Sequence, residues 1–332
     1  MENNKEYQKW LNRLEAYVVS LEHVPKKYKT SALCEVGVKS HGTAIQFVPE
    51  ELISPELCEM AVRDMGQALE FVPKEFITQE LCAIAVKEYG YALEFVPVEL
   101  KTRELCEIAV KDSGRNLEYV PEDLKTPELC ELAIKGVLGQ GGNLKFVPYE
   151  LRTKELCELA VEDKGYALEH VPEELKTVKL CELAVTQDGW NLEYVPEEFK
   201  IEELCELAVN DGHWALEFVP EDLKSPELCL IAVGKNGYQL AYVPEDMRTY
   251  ELCEIAVKND GWALEFVPKE FKTKEFCSIA VKECLKWNDN LLRKYEFKNL
   301  FEKFIPSEFQ EGLAEKYDIE LPEKSKGILQ EI

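Results

Sequence analysis

The chain has few basic residues, few histidines and no long apolar run. Its 332 residues include 39 Lys and Arg against 64 Asp and Glu, which gives a net charge of −25. Such a surface argues against general binding to nucleic acid and against docking on an anionic membrane. No apolar stretch approaches the ~20 residues that span a bilayer, and the polar start, Met1 to Lys9, has no signal core. We therefore expect a soluble, cytoplasmic protein.

The residue groupings that carry catalysis are also missing. The four histidines (His23, His41, His170 and His213) form no Ser/His/Asp or HExxH arrangement, and no CxxC pair occurs. His23 and His170 stand where other repeats have Phe or Tyr, so we expect them to replace core aromatics. We predict no enzyme activity, no metal and no cofactor. An enzyme that uses scattered carboxylates stays an alternative, which only activity screening would test.

What the chain does have is a repeat. Eleven of its twelve cysteines recur every 24 residues, apart from one interval of 27: Cys34, Cys58, Cys82, Cys106, Cys130, Cys157, Cys181, Cys205, Cys229, Cys253 and Cys277. A Val-Pro pair keeps the same step. A fixed period of this length indicates a repeat architecture. We expect these cysteines to be small core residues, because neighbouring repeats stack too far apart for disulfides. Cys284 lies outside the series, and we expect it to be exposed.

Each repeat begins with a predicted helix of about 11 residues. Ser or Thr usually stands four residues before the cysteine, where it can cap the helix N-terminus. A glycine usually stands eight residues after it, which predicts a C-terminal stop at positive φ. Around Cys130, the residues Leu129, Leu132, Ala133 and Ile134 form a wide apolar face. The second half of each repeat is predicted to be a short helix that breaks before the proline and restarts as a 3-10 turn.

These units read Leu-Cys-x-x-Ala-Val, then Gly, then Ala-Leu-x-x-Val-Pro. They resemble a bacterial family of short helical repeats whose function is unknown. Their period is similar to that of the leucine-rich repeat variant, which alternates α and 3-10 helices. The resemblance covers about residues 20–285. It implies a fold but no catalytic residues, and arrays of this kind usually bind other macromolecules.

We therefore predict an all-α fold, a right-handed α-solenoid of about eleven 24-residue units. Residues 1–30 would form an N-terminal capping helix and half repeat, and residues 31–135 and 143–285 the solenoid units. Residues 286–332 would form a helical cap and a polar tail. The Gly-rich insertion at 136–142 is interpreted either as a tolerated loop or as a hinge or contact loop that divides the array.

An aromatic residue follows the glycine in six of the repeats. These residues are the candidate partner-binding site: Tyr91, Tyr166, Trp190, Trp214, Tyr238 and Trp262. Tyr and Trp are common anchors of protein interfaces, and their concentration towards the C-terminal half suits a binding surface. The competing interpretation is structural, with the rings covering the loop ridge and packing on neighbouring repeats.

A basic residue stands four residues after the proline in most repeats: Lys29, Lys101, Lys125, Arg152, Lys176, Lys200, Lys224, Arg248 and Lys272. We call this the lysine position. A regular basic series could track the phosphates of RNA. Acidic residues lie two residues before most members, for example Glu99 and Asp123, so salt bridging between repeats is the favoured interpretation.

These patterns lead to a ranked set of functions. The leading hypothesis is a non-enzymatic scaffold that binds a protein partner, with a basic surface, along an acidic face lined by aromatic residues. The first alternative is an acidic inhibitor or nucleic-acid mimic that acts on a DNA- or RNA-handling or defence complex. The second is an RNA-binding repeat array, which the net charge disfavours.

Overall fold

The computed structural model describes residues 2–16, 19–136, 141–212, 214–286, 301–317 and 319. It divides into two compact units, Met1–Leu175 and Lys176–Ile332. The described residues are helical, with no β-strand, and the predicted all-α repeat fold is confirmed. The α-helices are α1 (Glu2–Glu15), α2 (Ser31–Ser40), α3 (Pro55–Asp64), α4 (Gln79–Glu88), α5 (Arg103–Asp112), α6 (Pro127–Lys135), α7 (Lys154–Asp163), α8 (Val178–Gln187), α9 (Glu202–Asp211), α10 (Pro226–Lys235), α11 (Tyr250–Asn259), α12 (Lys274–Leu285) and α13 (Ser307–Tyr317).

Two 3-10 helices follow each helix from α2 to α11, one on either side of the Val-Pro pair. Another such pair, Leu21–His23 and Lys26–Tyr28, follows α1. The longer helices are Gly42–Phe47, Gly66–Phe71, Gly90–Phe95, Gly114–Tyr119, Gly141–Phe146, Gly165–His170, Gly189–Tyr194, Ala215–Phe218, Gly237–Tyr242 and Gly261–Phe266. The shorter ones are Glu50–Leu52, Lys74–Phe76, Val98–Leu100, Glu122–Leu124, Tyr149–Leu151, Glu173–Leu175, Glu197–Phe199, Glu221–Leu223, Glu245–Met247 and Lys269–Phe271. The break predicted at the proline is therefore confirmed.

The start of each α-helix is set locally. The hydroxyl oxygen of Thr102 accepts the backbone N–H of Leu105 at 3.3 Å, and Ser54 does the same for Leu57. This arrangement satisfies one of the unpaired N–H groups of the first turn. Helix α9 is the exception, because Ile201 stands at its N-cap and offers no side-chain acceptor. The predicted N-caps are thus confirmed in the repeats where Ser or Thr is present.

The glycine after each α-helix has a different role from the predicted one. Among the described glycines only Gly212 has positive φ, so the positive-φ stop is wrong for the others. The helix ends instead at an extended residue, such as Met65 at φ −144°. The glycine is needed because a Cβ at Gly66 or Gly114 would overlap the carbonyl oxygen of Ala85 or Ala133 in the next repeat. The glycine is therefore needed to let the backbone of the next repeat come close, and not to supply a positive φ.

The core of each unit consists of the Leu, Cys, Ala and Val positions of the α-helices and the Leu and Val positions of the 3-10 segments. Leu105, Cys106, Ala109 and Val110 are each at most 2% exposed. The twelve cysteines are free thiols and all are buried, which confirms the core interpretation of the series. Cys284 is only 3% exposed, so the prediction that it is exposed is wrong. It lies on the inner face of α12, beside Gly261.

The ends are less regular. Helix α1 buries Leu14 and packs on α2, and α13 buries Leu313 and Ala314 beside α12. His23 is exposed and His170 only half-buried. The core role predicted for them is wrong, because the Phe/Tyr position lies at the edge of the stack, where Phe47 and Phe95 are also half-buried. Residues 137–140 of the insertion and most of the region after Lys286 lie outside the described residues.

Among the described helices, none combines the length and the apolar character needed to cross a bilayer.

Candidate partner-binding site

The aromatic candidates stand near the first residues of the longer 3-10 helices. In three of these repeats, an Asp or Asn side chain accepts a hydrogen bond from the backbone N–H of the aromatic residue. Asp188 accepts the N–H of Trp190 at 2.9 Å, Asn236 accepts that of Tyr238, and Asp260 accepts that of Trp262 at 3.0 Å. A short polar residue just before a helix is the usual cap for such groups. Each ring therefore leaves the backbone from a defined point.

In the second unit the aromatic candidates come from four consecutive repeats, and we call them the aromatic row: Trp190, Trp214, Tyr238 and Trp262. Three of the four rings pack edge to face on an aromatic ring of the next repeat. Trp190 meets Phe218 with centroids 5.0 Å apart, Trp214 meets Tyr238 at 5.2 Å, and Tyr238 meets Phe266 at 4.8 Å. Such pairs are each worth ~0.5–1.5 kcal/mol. The row therefore has the structural role foreseen in the competing interpretation.

The row nevertheless keeps accessible surface. Trp190 is 37% exposed, and the other three rings are half-buried. A half-buried indole is held in place while one part of the ring stays open to a ligand. Such a pre-ordered side chain loses little entropy on binding. The packing is thus compatible with a binding role.

In the first unit the two aromatic candidates do not form a row. Tyr91 packs on Tyr119 at 5.2 Å, and its hydrogen bonds with Glu94 and Tyr119 raise the pKa of its phenol. Tyr166 is 50% exposed and lies against Gly142, where a Cβ would overlap its ring. These residues belong to repeats that are not adjacent. We therefore regard the aromatic row of the second unit as the stronger candidate.

Carboxylates accompany the aromatic row. Glu193, Glu217 and Glu265 stand three residues after Trp190, Trp214 and Trp262, and all three are exposed. Burial is the main cause that raises the pKa of the Tyr238 phenol, and the charges of Glu265 and Asp260 raise it further. The field beside the row is therefore negative. A cationic group would be attracted both by these charges and by the ring faces.

The lysine position has a structural role that the sequence did not reveal. The ammonium of Lys101 donates to the carbonyl of Tyr119, 18 residues on, at 2.9 Å, and Lys29 and Lys176 donate to Phe47 and Tyr194. The guanidinium groups of Arg152 and Arg248 do the same for His170 and Phe266. Each of these cations caps the longer 3-10 helix of the next repeat, where free carbonyls collect.

The ion pairs found for three members of the lysine position are not the predicted pairs between repeats. Lys125, Lys200 and Lys224 pair with Glu122, Glu197 and Glu221, which lie three residues earlier in the same repeat. The acidic residues two positions earlier are not the partners in these pairs. The ammonium groups are largely buried, with Lys224 only 5% exposed. Because backbone carbonyls and carboxylates already bind them, they do not form a continuous surface for phosphates.

One exposed apolar group was missed by the sequence interpretation. Leu207, Leu230, Ile231 and Ile255, on α9, α10 and α11, are 37–48% exposed. Leu207, Ile231 and Ile255 each stand two residues after the cysteine of their repeat. The sequence places this position on the apolar helix face, which we expected to be buried. The sequence does contain one signal for an exposed apolar residue, because Leu230 stands where most repeats have Glu.

The cysteines offer no reactive or metal-binding centre in the described ranges. Burial raises the pKa of the Cys106 and Cys253 thiols to about 11, and that of Cys284 to about 12. At neutral pH these thiols stay protonated and are poor nucleophiles and ligands. In the part of the chain that the structure describes, no three His, Cys, Asp or Glu residues are placed to hold a metal ion.

Comparison with known proteins gives a family but no function. A family model described as a domain of unknown function, DUF4116, matches residues 79–125, 127–176, 201–248 and 249–295. The four segments cover more than half of the chain, and each spans about two of the 24-residue repeats. No curated protein and no solved structure matches the chain. The chain therefore belongs to the DUF4116 family of repeat proteins.

Proposed function

We propose that the chain is a non-enzymatic repeat scaffold that binds a protein partner with a basic surface. The contact would be made by the aromatic row, Trp190, Trp214, Tyr238 and Trp262, and by the carboxylates beside it. The observation that carries this proposal is the pairing of half-buried rings with exposed Glu193, Glu217 and Glu265 in the same repeats. Neither feature alone would indicate a partner.

The physical basis is that the two features act on the same group. Trp and Tyr are enriched among the residues that dominate interface energies. Lys and Arg side chains bind both to aromatic faces and to carboxylates. The net charge of −25 would also speed the encounter with a basic partner and make it sensitive to salt.

The buried lysine position favours a protein partner over RNA. An RNA-binding array needs basic side chains free to meet successive phosphates. Here Lys101, Lys125 and Lys176 donate to backbone carbonyls of the next repeat. If the partner itself binds DNA or RNA, the acidic surface of this chain would occupy the basic site in place of the nucleic acid.

The test is affinity purification of the tagged full chain from its native cells, at low and at moderate salt, with mass spectrometry and absorbance at 260 and 280 nm. We expect a stoichiometric basic protein whose yield falls at moderate salt. Bound nucleic acid, or the lack of any basic partner at low salt, would contradict the proposal.

Variants then locate the contact on the purified pair. Replacing Trp190, Trp214 and Trp262 with Ala should weaken binding at least ~100-fold, since each is expected to be an anchor. Glu193→Gln with Glu265→Gln should weaken it ~10-fold and flatten the salt dependence. Tyr149→Ala is the matched control, because this ring is 54% exposed but lies outside the row. Circular dichroism should show intact helices, and unchanged affinity in both row variants would exclude the site.

A further inference from the structure

Two repeats lack a cation at the lysine position. Ile53 and Ile77 stand there instead, four residues after Pro49 and Pro73. Ile77 lies 18 residues before Phe95, the separation that joins Lys101 to the carbonyl of Tyr119. Among the described residues nothing donates a hydrogen bond to the Phe95 carbonyl. The end of the 3-10 helix Gly90–Phe95 is therefore left without the cap that is formed in six other repeats, by Lys29, Lys101, Lys125, Arg152, Lys176 and Arg248.

A pocket of about 660 Å³ is present at this place. Its apolar lining includes Leu69, Val72, Ile77 and Phe95. The lining also includes Glu70 and Glu99, and Lys74 is its one cation. The lining is thus mostly apolar with a net negative charge, and it includes Phe95, whose carbonyl has no donor among the described residues.

Other repeats show which group suits such a place. The Lys125 side chain is 7% exposed, and its ammonium donates to the carbonyl of Phe146 at 3.0 Å and to Glu122 at 2.7 Å. Its four-carbon stem is buried, while the charge meets a carbonyl and a carboxylate. At Ile77 the corresponding carbonyl is that of Phe95. Lys74 stands at the position of Glu122, and the carboxylates of the pocket lining come instead from Glu70 and Glu99.

We propose that the pocket beside Ile77 binds a lysine side chain of the protein partner, which takes the place of the missing capping lysine. This inference rests on the proposed function, since the lysine is that of the partner. The stem would pack on Leu69 and Ile77, and the ammonium would donate to the Phe95 carbonyl. The pocket lies wholly within the first unit and the aromatic row within the second, so the pocket would be a second contact for a basic partner.

The first test uses a probe rather than the partner. The peptide acetyl-Gly-Lys-Gly-amide is titrated into the isotope-labelled full chain, and backbone amide shifts are followed by NMR. We expect shifts confined to the segments around Leu69–Ile77 and Phe95–Leu100. The peptide with norleucine in place of lysine keeps the stem but lacks the ammonium, and it should bind at least ~10-fold more weakly. Equal binding of the two peptides, or shifts elsewhere, would overturn the inference.

Two variants sharpen the result. Ile77→Lys places the chain's own ammonium in the pocket and should abolish the shifts caused by the peptide. Ile77→Leu keeps an apolar residue of the same size and should retain them. Binding of the lysine peptide by both variants, or by neither, would contradict the assignment. Because the probe is tested without the partner, its failure leaves the aromatic row to be judged by its own experiment.

Discussion

Two neighbouring junctions between repeats differ in the residue at the lysine position. Between repeats 78–101 and 102–125, Lys101 caps the next 3-10 helix through the Tyr119 carbonyl. Between repeats 54–77 and 78–101, Ile77 leaves a pocket open, and no described residue donates to the Phe95 carbonyl. Both junctions keep the same buried Cys and Ala positions. The comparison indicates that the α-helical side fixes the geometry, whereas the Val-Pro side can vary and so can acquire a binding site.

The largest expected effect is common to both junctions and concerns alkaline pH. Burial raises the pKa of the Cys82 and Cys106 thiols from 9.0 to about 11. A raised folded pKa contributes stability that is complete below the unfolded value and is lost as pH rises through the folded one. We therefore expect the free energy of unfolding to fall steeply between about pH 9 and pH 11, as measured by urea unfolding. A variant with both cysteines replaced by Ala should show a shallower fall, and a flat profile in the parent chain would contradict the account.

The next largest effect is expected from removing the close contact between a glycine and a backbone carbonyl of the next repeat, which both types of junction contain. Gly66→Ala acts at the isoleucine junction, and Gly114→Ala acts where Lys125 is present. Each should lose about 2–4 kcal/mol of unfolding free energy, because the added Cβ overlaps a backbone carbonyl oxygen. Gly234→Ala is the control, since nothing lies within 4 Å of its added Cβ. It should be neutral or gain up to about 1 kcal/mol. Similar losses in all three variants would show that glycine flexibility, rather than close approach, is what matters.

A smaller effect turns a lysine junction into an isoleucine-like one. Lys101→Met should lose about 1–3 kcal/mol, because the Tyr119 carbonyl is left without its charged donor. Lys111→Met, in the repeat that Lys101 caps, is the control. The Lys111 side chain is 63% exposed and lies 4.0 Å from Glu107, so its loss should change stability by less than about 0.5 kcal/mol. Equal losses in the two variants would point to overall charge instead of the cap.

The smallest effect is expected when an isoleucine junction is given a lysine. Ile77→Lys should gain about 0.5–1.5 kcal/mol by supplying the missing donor to the Phe95 carbonyl. Ile77→Met provides similar length without the ammonium and should gain less. A loss of stability in the lysine variant, measured by the same urea titration, would mean that the pocket cannot hold a buried ammonium.

The sequence predicted the features whose causes are local. The cap of Thr102 on Leu105 and the break at Pro97 depend on residues a few positions apart, and both are confirmed. The period of the cysteines also predicted their burial, because only stacked repeats can cover so wide an apolar face. Cys284 was missed because it follows the last regular position, and its cover comes from the glycine of an earlier repeat, Gly261.

The features that failed depend on backbone atoms in the next repeat. The glycines were interpreted as positive-φ stops because that is their commonest role after a helix. Their neighbour, the carbonyl of Ala85 or Ala133, has no signature in the sequence. The lysine position was assigned to salt bridges for the same reason, since carboxylates are visible as residues and carbonyls are not. The only sequence signal for the pocket beside Ile77 is that Ile53 and Ile77 replace the cation at the lysine position.

The most direct test of the junction comparison is native-state hydrogen exchange, read at the amides of the 3-10 helices Gly90–Phe95 and Gly114–Tyr119. In the parent chain we expect the first, which lacks its cap, to be less protected than the second. In the double variant Ile77→Lys with Lys101→Ile, the order should reverse. Protection that stays unchanged, or that moves in the same direction at both helices, would contradict the claim that a lysine at the end of one repeat stabilises the 3-10 helix of the next at these two junctions.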